Sequence, residues 1–139
     1  MSIARYLEER HPDPPFLGRD AFERAHLDMW SRRIEFGVYA SIRDFFRQTS
    51  PFARPLEPEQ IPAWGELQKR KAEDQLRLLD RDLADRPFLA GEAFSFADIT
   101  LATSLEGTAA AGFAMPGECG NLRRWFERCA LRPSMIATR

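Results

Sequence analysis

The apolar positions of this chain recur at three- and four-residue steps, and no segment alternates with the period-two pattern of a strand. Ile3, Tyr6 and Leu7 fall at i, i+3 and i+4, which predicts an amphipathic helix over residues 2 to 10. His11-Pro12-Asp13-Pro14-Pro15 breaks it, because proline cannot continue a helix and restricts the residue before it. A stiff linker follows to about Gly18. A long helix is predicted from residue 19 or 20 to about 48, with Leu27, Trp30, Ile34, Val38, Ile42 and Phe45 as one apolar stripe. Phe22, Met29, Phe36, Tyr39 and Phe46 form a second stripe. Such a helix packs on both faces, or packs on one and lends the other to a ligand or subunit. Gly37, between the stripes, marks a bend or a close approach.

Four prolines (Pro51, Pro55, Pro58 and Pro62) make residues 49 to 62 a loop. The next helix runs from about 63 to 83 and turns Ala72, Leu76, Leu79 and Leu83 inward. Its charged face (Glu66, Lys69, Arg70, Glu73, Asp74, Arg77) is solvated, and Asp85-Arg86-Pro87 ends it. Phe94-Ser95-Phe96-Ala97-Asp98-Ile99 then has the form of a helix start. Ser95 and Asp98 are spaced as a reciprocal capping box, and Phe94 and Ile99 as a hydrophobic staple. The helix that follows is apolar nearly all round through Leu101, Ala102, Leu105, Ala109 and Ala110, as a central helix should be. After a loop around Pro116, Asn121 caps a last full helix with Leu122, Trp125, Phe126 and Cys129 inward. Arg132-Pro133-Ser134 starts a final short turn. The fold class is all-α, a helical bundle.

At 139 residues one domain with a real core is expected, and a net charge of −1 without a basic cluster gives no footprint for nucleic acid. No apolar run approaches a membrane span, so no membrane partner is expected. Cys119 and Cys129 lack metal-ligand spacing and have no second pair, which fits reduced thiols in a cytoplasmic protein. His11 and His26 lie on separate elements and are expected to be exposed, not a metal pair. Cys119 precedes a helix, where a thiolate could be stabilised, but a plain loop cysteine is the simpler account. Arg32, Arg33 and Glu35 could reach a partner subunit or glutathione, and a solvated face explains them as well.

Arg86-Pro87-Phe88-Leu89-Ala90-Gly91-Glu92-Ala93-Phe94-Ser95-Phe96-Ala97-Asp98-Ile99 closely resembles the core motif of the C-terminal helical domain of glutathione S-transferases. Ile3 to Pro12 resembles the last helix of the family's thioredoxin-like domain plus the interdomain linker, and Asn121 to Arg128 with Arg132-Pro133-Ser134 resembles its closing helix. Met29-Trp30-Ser31-Arg32-Arg33-Ile34-Glu35 and Trp64-Gly65-Glu66 are similar to a bacterial and fungal subgroup. The resemblance divides the chain into residues 1–18, a remnant of the thioredoxin-like domain with its linker, and residues 19–139, the helical domain.

In that family glutathione is gripped and activated mainly by the thioredoxin-like domain, and none of those residues can be assigned here. The helical domain supplies the pocket for an apolar electrophile. The residues implied to bind it are Tyr39, Arg43 and Phe46 on the long helix and Gly107 on the capped helix, with no catalytic residue of the chain's own. Gln48 stands where relatives of the subgroup often carry His, which removes a base from this segment. The expectation is a partial transferase, separated from its first domain and inactive by itself. It would use glutathione as co-substrate without a further cofactor or metal, and act as a homodimer in detoxification. Isomerisation or reductive dehalogenation with glutathione would use the same scaffold. The alternative is a non-catalytic interaction or ligand-holding module of the same fold.

Overall fold

A computed structural model describes residues 1–137, the side chain of Ala110 apart. The helices in chain order are α1 (Ser2–Arg10), α2 (Ala21–Ile34), α3 (Ala40–Thr49), α4 (Pro62–Asp82), α5 (Phe96–Leu105), α6 (Gly120–Ala130) and α7 (Pro133–Ala137). Among the described residues there is no strand, only an isolated bridge between Phe88 and Gly91. The all-α reading therefore holds.

The predicted long helix is α2 and α3 joined by a π-helical turn, Glu35–Tyr39. Its cause is legible in the inner stripe. Trp30, Ile34, Val38 and Ile42 are all buried and follow one another at three successive four-residue steps. In an α-helix each such step overshoots a full turn by about 40°, so the stripe would drift off the core by about 120°. The wider π turn absorbs that drift and keeps all four residues inward. Asp20 caps α2 by accepting the Glu23 N–H at 2.9 Å.

α4 packs antiparallel along α3 and the π turn. Two glycines make the approach possible. A Cβ on Gly65 would stand 2.6 Å from Thr49 Cγ2 and 3.0 Å from Gln48 Cβ, and one on Gly37 would meet the Gln75 side chain at 3.3 Å. Gly37 is thus a close approach.

α5 is the central helix, and its capping box forms as read from the sequence. Asp98, with no exposed surface, does more than cap. Its Oδ2 accepts the Ser95 N–H at 2.9 Å and the Ser95 hydroxyl at 3.0 Å. Its Oδ1 accepts the Leu89 N–H at 3.0 Å and the Trp125 indole N–H at 2.8 Å. The Phe94 ring packs edge-on against Phe16 and Phe88 and under the Arg132 guanidinium. α5 ends at Leu105, earlier than its apolar run implied. Gly107 adopts φ +74°, which breaks the helix, and Thr108–Ala111 forms a separate 3-10 turn. Ala109 belongs to that turn, and the Ala110 side chain lies outside the described residues.

Asn121 does not cap α6. Cys119 occupies that position, and Asp80 of α4 supplies the cap from outside the helix, its Oδ1 accepting the Leu122 N–H at 2.8 Å. Asn121 instead donates through Nδ2 to the Asp80 carbonyl oxygen at 3.1 Å. The end of the linker is tied to both α1 and α5: the Glu8 carboxylate accepts the Phe16 and Leu17 N–H groups, and the Phe16 carbonyl accepts the Phe96 N–H at 2.9 Å. Ile3, Tyr6 and Leu7 present an exposed apolar face on α1.

Replacing Asp98 with Ala strands three buried N–H donors, those of Leu89, Ser95 and Trp125, and should lower unfolding free energy by at least about 3 kcal/mol, against about 1 kcal/mol for Ser95→Ala. Urea unfolding followed by circular dichroism checks both. By the same measurement Asp80→Ala should cost about 1–2 kcal/mol, although no residue of α6 is altered.

Candidate functional site

The second stripe of the long helix is left outside the core: Phe22, Met29, Phe36 and Tyr39 are exposed and Phe46 is half-buried. Where the π turn faces α5, a cleft of about 270 Å³ opens. Ser31, Arg32, Glu35 and Tyr39 line one wall, Phe96, Ile99, Thr100, Thr103 and Ser104 the other, and Met1 also borders it. Arg32 Nη1 pairs with Glu35 Oε2 at 2.9 Å. The hydroxyls of Thr100, Thr103 and Ser104 donate back to carbonyls of their own helix, at 2.9, 2.8 and 2.6 Å. That spends their protons and leaves a wall that is mostly apolar. Two other grooves are larger. One of about 640 Å³ runs between α1, the linker and α2, but its Glu8 and Arg24 side chains already serve the linker backbone. The other, about 400 Å³, lies between Phe22, His26 and Phe94.

The match of the sequence to known proteins is specific. The family model of the glutathione S-transferase C-terminal domain matches residues 62–128. Glutathione S-transferase 2 of Saccharomyces cerevisiae is 31% identical over 135 residues, covering 96% of this chain and 58% of that protein. The solved structure of Gtt2 from Saccharomyces cerevisiae superposes with a TM-score of 0.90 at 30% identity, over 97% of this chain and 65% of that one. A glutathione S-transferase domain-containing protein of Marinobacter aquaeolei VT8 gives 0.89 at 34% identity, over 96% of this chain and 65% of that one. The chain belongs to the glutathione S-transferase family. It has the fold of the family's C-terminal helical domain, and it spans about three fifths of the length of the yeast relative. Elongation factor 1-gamma of Prunus avium is also similar, 30% identical over 107 residues, covering 75% of this chain and 24% of that protein.

Within this helical domain the four residues singled out from the sequence separate. Tyr39 lines the cleft, about half exposed at its rim. Arg43 is exposed one turn on and is held by Asp44 Oδ1, with Nε at 3.0 Å and Nη2 at 2.8 Å. Phe46 follows on α3. Gly107 lies past the end of α5 and not on it. Ser31, buried at 2% exposure, was missed by the sequence reading because a lone serine in a helix carries no pattern. The basic residues are not merely solvated. Arg33 pairs with Asp82 at 2.8 Å and lies over the Trp30 ring, and Arg32 is part of the cleft. His26 is not exposed but half-buried, its Nε2 accepting the Trp30 indole N–H at 2.9 Å.

Neither thiol is a nucleophile at neutral pH. Burial among apolar side chains pushes the Cys129 thiol up to about 12, with the Asp98 charge adding to the effect. Burial also raises Cys119, and the carboxylates of Asp80 and Glu118 reinforce it, so its place before a helix does not activate it.

Because both thiols are raised in the fold, the unfolded chain loses these protons first, near pH 8.5. Stability should thus be constant in this respect below that pH and fall as pH rises toward about 12, where Cys129 itself ionises. Unfolding free energies of Cys129→Ser and the parent chain measured from pH 7 to 10 check the slope, which the substitution should flatten.

Proposed function

We propose that this domain forms the electrophile site of a glutathione transferase, holding an apolar second substrate for conjugation to glutathione. The supporting observation is the cleft at the π turn. The stripe that faces the core is satisfied, and the helix lends its other stripe, through Tyr39, to a concave surface against α5. Apolar walls with a few converging polar groups are what hold small aromatic ligands. Tyr39 gives a ring wall with a polar tip, and Arg43 and Phe46 continue the same helix toward solvent, beyond the cleft. Glutathione enters as co-substrate, gripped by a thioredoxin-like domain that packs on the α1 side, and residues 1–18 act as the junction. Exposed Phe36, Trp64 and Leu67 on the long helix and α4 supply an apolar surface for a homodimer of cytoplasmic character.

A second reading, a non-catalytic interaction module, draws support from the likeness to an elongation factor subunit. The two differ in whether the cleft takes a ligand.

Tyr39→Ala should weaken saturable binding of a naphthalene-based fluorescent ligand about tenfold, the loss of one aromatic wall, with Tyr39→Phe within twofold of the parent. Fluorescence titration of the folded chain reads this directly. Absence of saturable binding by the parent favours the interaction module.

A further inference from the structure

Among the described residues, Ser31 carries the one buried hydroxyl of the cleft whose proton is not spent on its own helix. Thr100, Thr103 and Ser104 turn back to carbonyls at i−4, as hydroxyls within helices commonly do. Ser31 sits within α2 at 2% exposure, yet among the described residues its Oγ has no hydrogen-bond partner. The next residue shows the same omission: the buried Arg32 Nε–H also has none, although Nη1 of the same guanidinium is paired with Glu35. Both residues line the cleft. Two adjacent polar groups left unmatched at one concave surface are costly unless something completes them.

We infer that Ser31 and Arg32 form a hydrogen-bonding subsite for an uncharged carbonyl oxygen carried on a small aromatic ligand. Arg32 Nε can only donate and Ser31 Oγ is free to donate, so the matching group is an acceptor. The opposite wall has no proton to offer, so the acceptor is drawn to the α2 side. Charge decides between a ketone and a carboxylate. The guanidinium is already paired with Glu35, whose carboxylate also lines the cleft, so the α2 wall carries no net positive charge to draw an anion. Ile99 and the Thr100 and Thr103 walls then receive the ring, with Tyr39 at the rim. A single-ring aryl ketone fits within about 270 Å³. This subsite deepens the reading of the cleft as an apolar-ligand site and rests on it.

The test compares acetophenone with α-methylstyrene, which replaces the carbonyl oxygen by a methylene of nearly the same shape. The titration is followed by NMR on the 139-residue chain. Acetophenone should bind about fivefold to tenfold more tightly and shift the Arg32 Nε–H resonance, whereas the hydrocarbon leaves that resonance in place. Ser31→Ala should remove most of the preference without lowering Tm, since it deletes a group with no partner. Arg32→Lys, which keeps the charge and removes Nε, should do the same to the preference and stands in should Ser31→Ala not fold. Equal binding of the two ligands overturns the subsite while leaving an apolar site intact. Binding of neither overturns both readings. An unchanged preference in Ser31→Ala together with a drop in Tm overturns the subsite as well, and makes the hydroxyl a structural group bonded to water.

Discussion

Four hydrogen bonds converge on the Asp98 carboxylate, and the placement of α5, α6 and the preceding turn depends on them. A carboxylate removed from water is strongly unfavourable unless every lone pair is matched. Here the donors come from Leu89 in the 88–91 turn, Ser95 at the start of α5 and Trp125 in the middle of α6. The dipole of α5 favours the charge at that end of the helix. A helix-start device has thereby become a three-way joint. It sets where α5 begins and how it is rotated, and so which residues it turns toward the long helix.

The long helix meets α5 under a second constraint, the mismatch between a four-residue stripe and a 3.6-residue helix. The π turn resolves it at Glu35–Tyr39, directly opposite the Thr100–Ser104 face of α5. One local distortion therefore does two things. It keeps Trp30, Ile34, Val38 and Ile42 in the core, and it places Tyr39 at the rim of a cleft. Core packing and the shape of the cleft are thus linked without any residue having both roles.

On the proposed reading, the part of this domain is to hold and orient a ligand. The thiols are buried and raised, Arg32 and Arg33 are paired with carboxylates, and no group of three or more metal-ligating side chains converges among the described residues. What the cleft offers is apolar area, an aromatic rim and two unspent donors at Ser31 and Arg32. These are the features on which the proposed electrophile site rests.

The sequence by itself determined the helical elements, the inner stripe, the capping box and the family, because each is written in local periodicity or in a contiguous motif. Ser95 and Asp98 are three residues apart, and their pairing needs no partner from elsewhere. Even the π turn left a trace, in three consecutive four-residue steps. Only the tertiary structure decided the rest. Leu89 and Trp125 reach Asp98 across nine and 27 residues of chain. Asp80 caps a helix 42 residues away, displacing Asn121 from that role. Arg43 and Tyr39 share a helix face in the sequence, but only Tyr39 meets the cleft, because the opposing wall is built by α5. Ser31, though part of a family-like segment, carried no signal of its place in the cleft. An unmatched hydroxyl is defined by what surrounds it, and those surroundings exist only once the helices have packed.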